Sequence, residues 1–157
     1  MVSILHRSLR AGAAVLAVFA LAACASSPRI SDAEKYALYD AHAGEAVDHF
    51  RYFGSINGWT PLGDSALAVW TRPSEAWLLD LSGSCQDLTF TPAIGLTSSM
   101  SRVSARFDKV LVRSSGSINI PCHIQQIRPL DIKAVRAAEK RNPEGEPSMD
   151  QASDAGT

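Results

Sequence analysis

Apolar residues along this chain follow three different rhythms. One unbroken apolar run occupies 11–23, from Ala11 through Phe19 to Ala23, without a single charged side chain. From about residue 47 to residue 127 the apolar positions come in short pieces with a period near two, cut by turn residues. On either side of that region the signals are helical.

The first helical signal is Ser31-Asp32-Ala33-Glu34, which reads as a capping box: the hydroxyl meets the third backbone N–H and the glutamate reaches back. It predicts a helix over 32–43, with Gly44 as its terminator. The second follows Pro129. Asp131 can cap, Ile132, Val135 and Ala138 form a modest apolar stripe, and Pro143 ends the helix. Lys140 and Arg141 in its last turn suit the negative end of the helix dipole.

Between the helices, strands are predicted over 47–53, 66–71, 76–81, 103–113 and 118–127, the fourth open to a break near Arg106. Trp77, Leu79 and Leu81 alternate with Leu78 and Asp80; Ile118, Ile120, Cys122 and Ile124 alternate in the same way. The turn-rich pieces 54–58, 61–64, 72–74, 82–84 and 114–116 suit tight connections between antiparallel neighbours. The stretch 87–99 fits either a strand or a short helix, and no internal repeat is visible. The order helix, about five strands, helix predicts one α+β domain over 32–141: an antiparallel sheet, able to curl toward a small barrel, flanked by N- and C-terminal helices.

Composition agrees with a single folded unit. The chain has 157 residues, 46% of them apolar and 20% charged, enough for one core but not two. Its net charge of -1 gives no bulk attraction to nucleic acid. Residues 142–157 carry four acids, no bases and almost nothing apolar, which predicts a disordered acidic tail.

The N-terminus is an address. Arg7 and Arg10 precede the 13-residue apolar run, which is shorter than the roughly 20 residues that span a bilayer. Its end, Leu21-Ala22-Ala23-Cys24, resembles the lipobox of bacterial lipoproteins. That resemblance implies removal of 1–23, attachment of a diacylglycerol to the Cys24 thiol, and a further acyl chain (a palmitate-type anchor) on its amine. It also implies, from Ala25 after the cysteine, the periplasmic face of the outer membrane. Residues 24–31 would then be a lipidated tether reaching at most about 25 Å. Loss of Arg7 and Arg10 leaves 13 basic against 16 acidic residues.

Further motifs occupy the domain: Gly58-Trp59-Thr60-Pro61-Leu62-Gly63-Asp64, Trp77-Leu78-Leu79-Asp80-Leu81, Cys85-Gln86-Asp87-Leu88, Phe107-Asp108-Lys109-Val110, Cys122-His123-Ile124 and Ile127-Arg128-Pro129-Leu130-Asp131. Together they resemble a family of small Gram-negative lipoproteins defined only as a domain of unknown function. The likeness covers most of 32–141 and implies no chemistry.

Once Cys24 is acylated, Cys85 and Cys122 remain, and an oxidising compartment favours a disulfide between them. The rival reading is a thiol enzyme with Cys85 as nucleophile and His123 as base, but alternation along a strand turns His123 away from the side Cys122 faces. His42 and His49 lack the spacing of a metal site, and neither a metal nor a cofactor motif appears. Asp80, Asp87, Asp108 and Asp131 could serve acid–base chemistry; as turn caps and arginine partners they need none. Among Trp59, Trp70 and Trp77, which mostly read as core, Trp59 is the candidate for a partner contact because turn residues surround it. Lys133, Arg136 and Lys140 share one helix face, either simply solvated or meeting an anionic partner. The leading expectation is a lipid-anchored, non-enzymatic binding or structural module with an envelope protein, lipid or glycan partner. The alternative is a small envelope hydrolase or transferase using the Asp and His residues.

Overall fold

The computed structural model describes residues 30–113 and 119–141. The predicted leader, Cys24 with most of the tether, and the acidic tail lie outside the described residues. Within them the order is α1 (Asp32–Asp40), β1 (His49–Arg51), β2 (Gly58–Pro61), β3 (Ala66–Arg72), β4 (Glu75–Leu81), β5 (Ile94–Leu96), β6 (Arg102–Ser104), β7 (Lys109–Arg113), β8 (Asn119–Pro129) and α2 (Ile132–Arg141).

Six strands form one antiparallel sheet, β2-β3-β4-β8-β7-β5, and β1 pairs with β6 as a separate ribbon. The sheet curls into a half-barrel. The cause lies in β8, which serves two neighbours in turn: Asn119 to His123 pair with β7, and Ile124 to Pro129 pair with β4. At the handover Leu81 faces Ile124 while Asp80 faces Gln126. Gln125 is the extra residue of a bulge, which bends the strand and raises its twist. Pro121 lies in the half that β4 does not reach, where one side of the strand has no neighbour in the sheet.

β3 and β4 bury both faces, so β3 is apolar from Ala66 to Trp70 without a break. Leu67, Val69, Leu79 and Leu81 point into the curl and meet Val110, Val112, Ile124 and Ile127. The ribbon closes over this cluster with Phe50 and Val103. On the other face Ala66, Ala68, Trp70, Ala76 and Leu78 meet the helices through Tyr39 and Val135. Tyr39 packs edge-on against Trp70, ring centroids 6.3 Å apart.

The predicted α+β class, antiparallel sheet, flanking helices and disulfide are all present. Cys85 and Cys122 are bonded, with Cα atoms 5.7 Å apart and a separation of 37 in sequence. Closing a loop of that size stabilises by about 4 kcal/mol in the chain-entropy treatment. The bond joins β8 to the loop after β4, where Leu88 is also fully buried.

Some details differ from the sequence reading. The capping box forms as predicted, Glu34 N–H donating to Ser31 Oγ and Ser31 N–H to the Glu34 carboxylate. The helix nevertheless ends at Asp40, three residues early, because Ala43 is drawn into a bridge with Leu130. Gly44 then lies against Pro129, where a Cβ would come within 3.1 Å of the ring, and its N–H donates to the Pro129 carbonyl. The segment read as a turn around Trp59 is β2, an edge strand, which tolerates Pro61. The ambiguous stretch contains β5, and 103–113 divides into β6 and β7 around Arg106.

Candidate functional site

Three chain segments, 46–49, 104–107 and 125–126, line a cleft of about 460 Å³. Backbone hydrogen bonds fix them to one another. Val47 N–H donates to Ile127 O at 2.9 Å, Ala105 N–H to Asp48 O at 2.9 Å, and Arg106 N–H to Ile124 O at 2.7 Å. The bulge on β8 supplies one of the three walls. Because Gln125 is extra, the in–out alternation breaks, and Gln125 and Gln126 are both exposed and both face the cleft.

The 104–108 turn supplies a second wall. Arg106 sits at φ +67°, a left-handed conformation that costs a residue with a Cβ about 1–2 kcal/mol. Phe107 beside it is 83% exposed. Asp108 holds this turn closed. The residue is only 8% exposed, and its carboxylate accepts from Ser104 N–H at 2.7 Å and from Thr97 Oγ at 2.7 Å. Its own N–H donates to Ser104 O, and its carbonyl accepts from Ile124 N–H. A strained arginine and an exposed ring are thus fastened to the core by one buried carboxylate together with the backbone bonds to Ile124 and Asp48.

The cleft offers a guanidinium, two carboxamides, the Asp48 carboxylate, the His49 imidazole and an aromatic face. Such a set can orient a polar ligand by hydrogen bonds while the ring covers an apolar part of it. His49 and Ser104 are paired positions across the ribbon, but no hydrogen bond links the imidazole to the hydroxyl.

Of the residues singled out from sequence, His49 lines the cleft and Asp108 adjoins it, while the others fall elsewhere. Asp80 joins a cluster under α1, accepting from Tyr36 Oη at 2.9 Å and from Arg128 at 3.0 Å; Arg128 also bonds Asp40 at 2.6 Å. Burial opposes the charge on Arg128, but the two carboxylates outweigh it and raise its pKa. Asp87 is an exposed turn residue at φ +62°, and Asp131 caps α2 by accepting from Ala134 N–H. His123 is exposed beside buried Cys122, as alternation requires. No two of Asp80, Asp87, Asp108, Asp131 and His123 share a side-chain hydrogen bond among the described residues.

Trp59 is half-buried, packed against the main core from the edge strand. Lys133, Arg136 and Lys140 are exposed on α2, and Arg136 donates to the Pro73 carbonyl in the β3–β4 turn at 3.1 Å. His42 is half-buried, and its carbonyl accepts from Asp131 N–H. Among the described residues no three His, Cys, Asp or Glu side chains gather as a metal ion would need. No described helix is long and apolar enough to cross a membrane.

A family model described as a family of unknown function (DUF6491) matches residues 7–146. No curated protein and no solved structure matches the chain.

Proposed function

The chain belongs to this family of unknown function, and from its own residues we propose a lipid-anchored envelope protein whose domain is a binding module. Cys24 carries the anchor, and the cleft between 46–49, 104–107 and 125–126 carries the recognition. One observation supports the recognition site above the others: Arg106 is held at positive φ beside an exposed Phe107 at the wall of the cleft. Strained non-glycine backbone persists where the surrounding structure over-determines it, and it clusters at ligand-binding sites. The ligand that fits is a polar envelope component with an anionic group for Arg106, amide-bonding groups for Gln125 and Gln126, and a flat or apolar face for Phe107.

The reading makes stability and function move in opposite directions. Arg106→Gly relieves the left-handed strain and should stabilise the domain by about 1 kcal/mol, raising its melting temperature by a few degrees. The same change should abolish the adduct that a photocrosslinking residue at position 107 forms in intact cells. A purely structural Arg106 would give no such separation. If Arg106→Gly leaves the adduct intact, or if no reproducible adduct forms at 107, the cleft is not the site. Turnover of an envelope substrate by the purified domain, lost on replacing one Asp or His, would establish the hydrolase or transferase reading instead.

A further inference from the structure

Beyond His49 and Ser104, which also line the cleft, the outward face of the β1–β6 ribbon presents side chains that the cleft does not use. The register sets His49 opposite Ser104 and Arg51 opposite Arg102, and the Tyr52 N–H to Ser101 carbonyl bond continues it beyond the strands. Past the end of that register Phe53 and Met100 are both exposed, at 68% and 85%. The inward face of the same ribbon is fixed: Phe50, Tyr52 and Val103 are buried, and Phe50 stacks on Trp77 with ring centroids 5.1 Å apart.

Two features of this face work against the stability of the folded chain. Arg51 and Arg102 are like charges directly across an antiparallel pair, a placement that destabilises a ribbon. Neither has a carboxylate partner among the described residues. The tip is a two-residue turn with Met100 at φ +50° and Ser101 at φ +57°, closed by reciprocal bonds between Ser99 and Arg102. Turns of that hand favour Asn-Gly, and here a long apolar side chain is forced outward instead.

We propose that this ribbon face is a membrane-contact surface whose occupant is an anionic phospholipid bilayer. Phe53 and Met100 enter the headgroup layer, and Arg51 and Arg102 lie against lipid phosphates, whose negative charge removes the repulsion between them. An apolar tip above a basic pair fits a surface that is apolar inside and anionic outside. The proposal goes beyond the anchored binding module and rests on it for proximity alone. From Cys24 to Ile30 the chain spans at most about 20 Å, which holds the domain at the bilayer surface.

The test uses the chain from residue 24 onward with Cys24→Ser, so that no acyl group contributes. It is sedimented with vesicles of phosphatidylcholine alone and of phosphatidylcholine containing phosphatidylglycerol. Binding is expected to the mixed vesicles, at least about tenfold weaker to the neutral ones and weakened by salt. Phe53→Ser with Met100→Ser should lower it by about tenfold or more, and Phe53→Trp should strengthen it, because indole favours the interface. Arg51→Gln with Arg102→Gln should remove the preference for anionic vesicles. Melting temperatures recorded alongside identify any variant that has lost its fold, and the gain from Phe53→Trp does not depend on them. The proposal is overturned if the folded chain ignores anionic vesicles, if the ribbon variants bind as the parent does, or if loss occurs only on changing Lys133, Arg136 and Lys140. Self-association abolished by the Phe53/Met100 changes, without vesicle binding, would assign the face to a second copy. A negative result with this unacylated chain leaves lipidation at Cys24 to its own labelling test.

Discussion

Single side chains on the helix-covered face show how the molecule responds to pH. Tyr39 Oη donates to Glu139 Oε1 at 2.5 Å and joins α1 to α2. Burial, then the bond to Glu139 and its charge, push the phenol pKa well above its usual value near 10. The folded state therefore keeps a proton that the unfolded chain gives up. Stability from this group is complete below about pH 10 and falls by about 1.4 kcal/mol per pH unit above it, until the folded phenol ionises. Tyr36 and Tyr52 are shifted in the same direction, both chiefly by burial. Urea unfolding across the alkaline range should show this decline, and Tyr39→Phe should make it shallower. At neutral pH that variant should lose about 1–2 kcal/mol with its charge-assisted bond. An unchanged alkaline slope in Tyr39→Phe would mean that the phenol is not held as the geometry indicates.

At the scale of elements, the Asp108 carboxylate is the side-chain anchor of the turn from 104 to 108. Asp108→Ala would leave Ser104 N–H and Thr97 Oγ–H without their acceptor, at a cost of about 2–3 kcal/mol. Asp108→Asn keeps one acceptor oxygen and should cost less. Both should weaken crosslinking at 107, because Arg106 and Phe107 lose their support; equal stability of all three proteins would refute this account. The sequence made some of this legible. β3 and β4 were readable because their apolar positions serve two cores, and the Ser31 box because its bonds are local. β2 was hidden, since Gly58, Pro61 and Gly63 signal turns and only pairing with β3 makes an edge strand of them. The cleft was hidden for a similar reason: its three walls meet through long-range register. One signal was nonetheless present. Buried Ile124 and Ile127 are three apart in a strand of period two, an interval that requires the bulge at Gln125.

For the whole molecule, the cysteine count links the fold to the anchor. The chain has three cysteines, and the Cys85–Cys122 bond uses two. Cys24 is the odd one, at the end of an apolar run in a lipobox-like sequence, and the proposed acylation would give it a use that needs no partner thiol. An acylated Cys24 would also orient the rest: a tether of a few residues restricts how the domain can approach the bilayer, and the ribbon face and the cleft adjoin through His49 and Ser104. Recognition would then take place close to the membrane surface, not out in the periplasmic space. The expected outcome in cells is incorporation of labelled palmitate and partition into detergent, both abolished by Cys24→Ala. That variant should keep the Cys85–Cys122 bond and the melting temperature of the domain, because the fold is closed without residue 24. An intact mass showing an unacylated chain that begins elsewhere would remove the anchor from the account. The cleft would then have to be explained in a protein free to diffuse.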